Sequence, residues 1–253
     1  MTGSSRWPAA VEALNLHGGS PVVLLCPHAS NYIPSEYEKL RLHPAELERH
    51  IAWDIGAAGV TRRLCQLLDA PAFLGTYSRL LIDLNRPPQS AASIVARSED
   101  TDIPGNIGIT TNERARRTDR IFYPFHRTVK AHLAERERAA SRIAIVAIHS
   151  FTPVYRGIAR EWHAGVLFEG SKDFGFATLE RMRNADNNLI VDANVPYQVT
   201  PDDDFALLVY GDEVGNPAIE FEIRQDLIAE REQQECWAQC IATTLALDVA
   251  FAR

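Results

Sequence analysis

The 253-residue sequence predicts an α/β domain built on a mixed, mostly parallel central sheet, and three observations carry that prediction. Short apolar runs bounded by turn residues alternate with longer stretches of helical periodicity. The runs PVVLLC and RIAIVAI are apolar without alternation, as expected of strands covered on both faces. Hydrophobic residues make up 46% of the chain, ample for one core, so residues 1–253 are read as a single domain.

Taken in order, residues 22–26 (VVLLC) read as the first buried strand. Residues 44–68 follow as a helix in which Asp54 is a short acid among apolar neighbours. Residues 72–76 and 80–84 (LLIDL) read as two further strands. Residues 87–108 are rich in Pro, Ser, Asn and Gly and form a long loop of the kind that is usually functional or mobile. Residues 113–138 are helical, 143–148 (IAIVAI) a strand, 166–168 a strand and 174–183 a helix. Residues 189–191, 207–209 and 219–223 read as strands, and 227–251 as the last helix. In the strand 219–223, period-2 alternation places Ile219, Phe221 and Ile223 on one face and Glu220, Glu222 and Arg224 on the other. Taken alone, that pattern describes a solvated edge strand.

The net charge of −7 argues against a general phosphate-backbone binder. The arginines between 114 and 142 are interleaved with acids, which describes a solvated helix rather than a nucleic-acid patch. No run approaches the roughly 18 apolar residues of a membrane span, and the N-terminal stretch has no continuous apolar signal region. The four cysteines form no CxxC motif; Cys236 and Cys240, one helical turn apart, read as two buried small hydrophobes. The expected setting is a reducing cytoplasm. The expected partner is a small-molecule substrate, with no nucleic acid and no membrane; a homo-oligomer is left open.

The polar residues are informative by position. VVLLCPHASN ends a strand with His28, LLIDLNRP ends one with Asn85 and Arg86, IAIVAIHS ends one with His149, and AIEFEIR carries Glu222 and Arg224. In open α/β sheets, ligands bind beyond the carboxyl ends of the strands. Each residue alone has a plain explanation as a hydrogen-bonded loop side chain, but together they converge on one edge. Two imidazoles and a carboxylate are a ligand set for catalytic Zn²⁺, which polarises a carbonyl and lowers the pKa of a water. His28 and His149 are the expected ligands, Glu222 the general base and Arg86 a bidentate carboxylate clamp. Asp54 is the preferred third ligand, with His126 in FYPFHRTV as the alternative. Cys26 is set aside as a nucleophile because its strand position points into packing.

The segments PHASNYIP, WDIGAAGVTRRL, YSRLLIDLNRP, NIGIT, PFH, AIHSFTP, NVPY and IEFEIRQDL, in that order, resemble the N-formylglutamate amidohydrolase family over nearly the whole chain. The resemblance implies a three-layer αβα fold of the zinc-exopeptidase type and a zinc-dependent hydrolase of N-formylglutamate or a related small N-acyl amino acid. It maps the general base to Glu222, the substrate-carboxylate pair to Asn85 and Arg86, and the second histidine ligand to His149. Where the related carboxypeptidase pattern HxxE has its glutamate ligand, this chain has Asn31, which is why Asp54 is promoted. Tyr197 in NVPY and Arg79 are further candidate substrate contacts, Arg79 for a second substrate carboxylate. The rival expectations are a hydrolase of other N-acyl or peptide substrates using the same residues, and a catalytically silent carboxylate-binding protein.

Overall fold

The computed structural model describes residues 7–139, 141, 143–201 and 204–248. Seven strands form the main sheet: β1 (Val11–Leu14), β2 (Val22–Cys26), β3 (Ala72–Gly75), β4 (Ala144–Phe151), β5 (Ala164–Leu167), β6 (Val191–Ala193) and β7 (Ala218–Arg224). Their spatial order is β1-β3-β2-β4-β7-β5-β6. The four middle strands, β3, β2, β4 and β7, are all parallel. β1 runs antiparallel to β3, and β5 runs antiparallel to β7 while pairing β6 in parallel.

Alternation along the strands divides the core into two layers. Val22, Leu24, Cys26, Val146, Ile148, Ile219, Phe221 and Ile223 face one side, where α1 (Ala57–Leu67) packs through Val60 and Leu64. Val23, Leu25, Phe73, Ile145 and Ala147 face the other, against Ile121, Phe122, Phe125, Val129 and Leu133. Those five come from a continuous helical segment made of α2 (Thr111–Arg117), a π-helical turn at Thr118–Phe122, and α3 (Tyr123–Arg138). On the first side α4 (Lys172–Ala185) adds Leu179 and Met182. After the one-turn α5 (Phe205–Leu207), α6 (Arg231–Asp248) adds Trp237, Ile241 and Leu245 to that same side. The result is the expected three-layer αβα arrangement.

Several local expectations are corrected. Residues 80–84 are a chain of turns, not a strand: Leu81 N–H donates to Ser78 O at 3.0 Å, and Asp83 N–H donates to Ser93 O at 2.7 Å. Their apolar side chains are buried all the same, and burial alone does not distinguish a strand from a compact turn. Residues 207–209 lie in helical structure, α5 running into a π-helical turn at Leu208–Asp212. The predicted helix 44–68 is α-helical only from Ala57. Gly56 precedes it at φ +82°, and a Cβ there would lie 2.1 Å from Ile228 O. The last helix begins at Arg231 rather than at 227, and its predicted end at 251 lies outside the described residues. Cys236 is exposed and Cys240 half-buried, because Trp237 and Ile241 take the inward face of α6. Arg117 is buried, with its guanidinium on Glu113 Oε1 (2.9 Å) and Asn106 Oδ1 (2.7 Å), so that helix is not solvated throughout. No helix among the described residues is long and apolar enough to cross a membrane.

Candidate active site

Because β2, β4 and β7 run in parallel, their carboxyl ends open on the same edge, where a cavity of about 450 Å³ is lined by residues of β4 and β7 and by His28 just past β2. That is ample for a small ligand. Glu222 lies directly beside His149 in the β4–β7 register. It is buried, on a central strand, so the solvated edge strand suggested by local alternation is not what forms.

His28 stands two residues beyond β2. Its backbone carbonyl accepts the Asp54 N–H at 2.9 Å, which draws the segment before α1 over the strand end and buries Asp54. Asp54 Oδ2 then lies 2.7 Å from His149 Nδ1 and 3.4 Å from His28 Nδ1, and the two imidazole rings meet edge to face at 4.8 Å. One ligand atom from each of the three lies within 4.8 Å of the others. Two imidazole nitrogens and one carboxylate oxygen, all buried and all turned to a common point, suit a single small divalent cation. Burial by itself would raise the Asp54 carboxyl, but His28 and His149 beside it hold it well below the usual carboxylate range. Burial pushes His149 down despite the same aspartate.

Asp83 is the residue that sequence reasoning passes over. One oxygen lies 2.7 Å from His28 Nε2 and accepts the Asn85 N–H at 2.8 Å. The other accepts Arg79 Nη2 at 2.7 Å and Nε at 3.1 Å, with Arg86 Nε at 3.4 Å. Burial disfavours its charge, yet Arg79 and His28 outweigh burial and hold it far below the usual range. A carboxylate on the outer nitrogen of a ligating histidine fixes that ring's tautomer and orientation. The available signal was an acid inside the apolar run LLIDL, where an unpaired carboxylate would not be tolerated.

On the other side of His149 lie two more buried acids. Glu220 Oε2 is 3.5 Å from His149 Nε2, and Glu220, Glu222 and His149 each keep one buried atom without a hydrogen-bond partner. Burial raises Glu220 well above the ordinary carboxylate range, with Asp204 and Glu222 adding to the effect. Burial likewise raises Glu222, with Asp54 adding and Arg79 opposing. A buried carboxyl so displaced holds a proton more readily than a free one, which suits it to proton transfer.

The other predicted residues fall as follows. Arg86, Asn85, Arg79 and Tyr197 all line the cavity. Arg79 is engaged by Asp83 and, through Nη1, by Asp54 Oδ1 at 3.4 Å. Asn85 Oδ1 accepts the Ala206 N–H at 3.1 Å and its Nδ2 points to Asp204, so its amide ties the Asp83–Arg86 turn to α5. Asn85 and Arg86 reach the site from this turn, not from a strand end. Tyr197 is half exposed, its hydroxyl pushed up to about 12 by burial and by Glu222. Asn31 donates to Leu47 O at 2.9 Å, away from the imidazoles. His126 is a hydrogen-bonded core residue: Nε2 bonds Leu84 O at 2.9 Å and Nδ1 meets the Tyr210 hydroxyl, which leaves Asp54 beside the two histidines. Burial raises the Cys26 thiol to about 12, which removes it as a nucleophile.

No curated protein matches the chain. Among solved structures, gene product Atu2144 from Agrobacterium tumefaciens is 36% identical, with a TM-score of 0.89 over 95% of this chain and 96% of that one. The N-formylglutamate amidohydrolase from Ralstonia eutropha JMP134 shares the fold at 14% identity, with a TM-score of 0.77 over 97% of this chain and 99% of its own. The model of the N-formylglutamate amidohydrolase family matches residues 20–229, and with that span including His28, Asp54, Asp83, His149 and Glu222, the chain belongs to this family of amide-bond hydrolases.

Proposed function

We propose that the protein is a zinc-dependent amidohydrolase that cleaves N-formyl-L-glutamate, or a closely related N-acyl amino acid, to a carboxylic acid and the free amino acid. The observation that carries this reading is the side-by-side placement of Glu222 and His149, with the buried His28–Asp54–His149 triangle on the far side of the same imidazole. His28, Asp54 and His149 would hold Zn²⁺, which when bound supplies Lewis-acid polarisation of the acyl carbonyl and lowers the pKa of water at the site.

The remaining work falls to the chain's own groups. Arg86, on the cavity wall beside Asp83, holds the substrate's α-carboxylate and so sets the position of the scissile amide. Glu222 accepts a proton from the attacking water as its oxygen bonds to the acyl carbon. It then delivers that proton to the amide nitrogen as the C–N bond breaks, so the amine leaves neutral and the carboxylate is regenerated. Asp83 holds His28 in place through Nε2.

A panel of N-formyl amino acids, with formate and free amine quantified before and after chelation and after zinc is restored, tests the reading. Activity on N-formylglutamate that disappears with the metal and returns with zinc is expected. Carboxylate binding without any hydrolysis in the zinc-loaded protein would make it a silent binding protein instead.

A further inference from the structure

Immediately after β4 the chain makes a small hairpin, Val154–Tyr155 pairing with Ile158–Ala159 around Arg156 and Gly157, both at positive φ. Arg160 follows it, anchored by its N–H on Pro153 O at 2.8 Å. Its guanidinium carbon lies 4.7 Å from the Tyr155 ring centroid, 4.9 Å from Tyr197 and 5.6 Å from Phe151, and Nη1 donates to the Tyr197 hydroxyl at 3.0 Å. All three aromatic residues line the catalytic cavity.

Arg160 stands behind these three rings, and the contrast with the two arginines that line the cavity is what makes it informative. Arg79 pairs with Asp83 and Asp54, and Arg86 pairs with Asp83. Arg160 has no carboxylate within 4.0 Å among the described residues, and its one hydrogen bond to a side chain goes to a neutral phenol. A planar cation stacked on aromatic faces has already lost its rotamer freedom, and its remaining N–H edge can meet a carboxylate at little further entropic cost. Arg79, the sequence-based candidate for a second substrate carboxylate, already has two carboxylate partners.

We propose that Arg160 binds a second carboxylate of the substrate, distinct from the one held by Arg86, and so makes the enzyme selective for dicarboxylic N-acyl amino acids. This rests on the amidohydrolase reading above. The second carboxylate can come from the amino-acid side chain or from the acyl group, and the two sources are separable. The substrates are N-formylglutamate, with a side-chain carboxylate, N-succinylalanine, with an acyl carboxylate, and N-formylglutamine, with neither. Each is assayed on zinc-loaded wild type, Arg160→Gln and Arg160→Lys.

The expected result is a fall of about 10- to 100-fold in kcat/KM for a dicarboxylic substrate in Arg160→Gln, carried by KM, as when one partner of a charge-assisted pair is lost. N-formylglutamine turnover and zinc content should stay at the wild-type level, and Arg160→Lys should recover part of the loss. Whichever dicarboxylic substrate suffers identifies the source. An equal fall on all three substrates would make Arg160 a structural rivet for Tyr197 and overturn the proposal, as would no fall on any. In parallel, calorimetry measures glutarate binding to wild type and Arg160→Gln. Should wild type hydrolyse none of the three, the amidohydrolase reading fails. Glutarate bound about tenfold more weakly by Arg160→Gln would still support the carboxylate site, and equal binding would overturn it.

Discussion

Replacing Asp83 by asparagine keeps its size and removes its charge, and the contacts in the structure set the size of the effect. The carboxylate meets His28 Nε2 at 2.7 Å and Arg79 at 2.7 and 3.1 Å. Removing one partner of a buried pair costs about 3–5 kcal/mol. Arg79 retains 26% of its side-chain exposure, so solvent reduces the loss to about 2 kcal/mol. At about 2–4 °C per kcal/mol for a chain of this size, Tm should fall by roughly 4–8 °C. Metal affinity is expected to drop by about 10- to 100-fold, or about 1.4–2.7 kcal/mol, because the His28 ring loses its orienting acceptor. Arg79 is then left with Asp54, 3.4 Å from Nη1, and competes with the cation for that carboxylate. The assay is a zinc titration against a chromophoric chelator, with melts followed by circular dichroism with and without zinc. A variant that melts early but binds zinc within twofold of wild type would show that Asp83 serves the fold alone and refute the orienting role.

Three further outcomes follow from named contacts. Glu222→Gln should lower kcat by about 10² to 10⁴ while zinc content stays intact; near-normal turnover would remove the general-base role and turn attention to Glu220. His126 gives a pH dependence with a definite sign. Its unfolded form takes up a proton as pH falls through 6.5, whereas burial holds the folded imidazole down to about 3. Its contribution is therefore full above pH 6.5 and declines at about 1.4 kcal/mol per pH unit below that; urea midpoints at pH 7 and pH 5 should converge in His126→Gln, and an unchanged pH slope would contradict this. Gly165 faces the Val195 carbonyl so closely that a Cβ would sit 1.6 Å from it. Gly165→Ala should push the segment carrying Tyr197 outward, raising KM more than it alters zinc binding; a variant with wild-type KM and Tm would show that the contact relaxes freely.

By itself the sequence determined the frame and the ends of it. VVLLC and IAIVAI are apolar enough to be central strands wherever they fold, IEFEI alternates as a strand with one apolar face, and His28, His149 and Glu222 stand at or just beyond the carboxyl ends of these three runs. Period-2 geometry already placed Glu220 and Glu222 on one face. What it could not reveal was that this strand is interior and its polar face enclosed, because β4 and β5 pair with its two edges while Arg79, Asp83, Asn85 and Asp204, from distant turns, wall the cavity over that face. Only the tertiary structure decided which acids meet which histidines. His28 finds Asp54 at a separation of 26 residues and Asp83 at 55, and His149 finds Asp54 at 95. Hydrophobic periodicity reports which face of a local element is buried, and the turns at 80–84 mimicked a strand because they bury the same apolar side chains. A carboxylate's partner is set instead by chain crossings that no local window contains. Asp83 therefore passed as one polar interruption in an apolar run until folding brought Arg79, Arg86 and His28 around it.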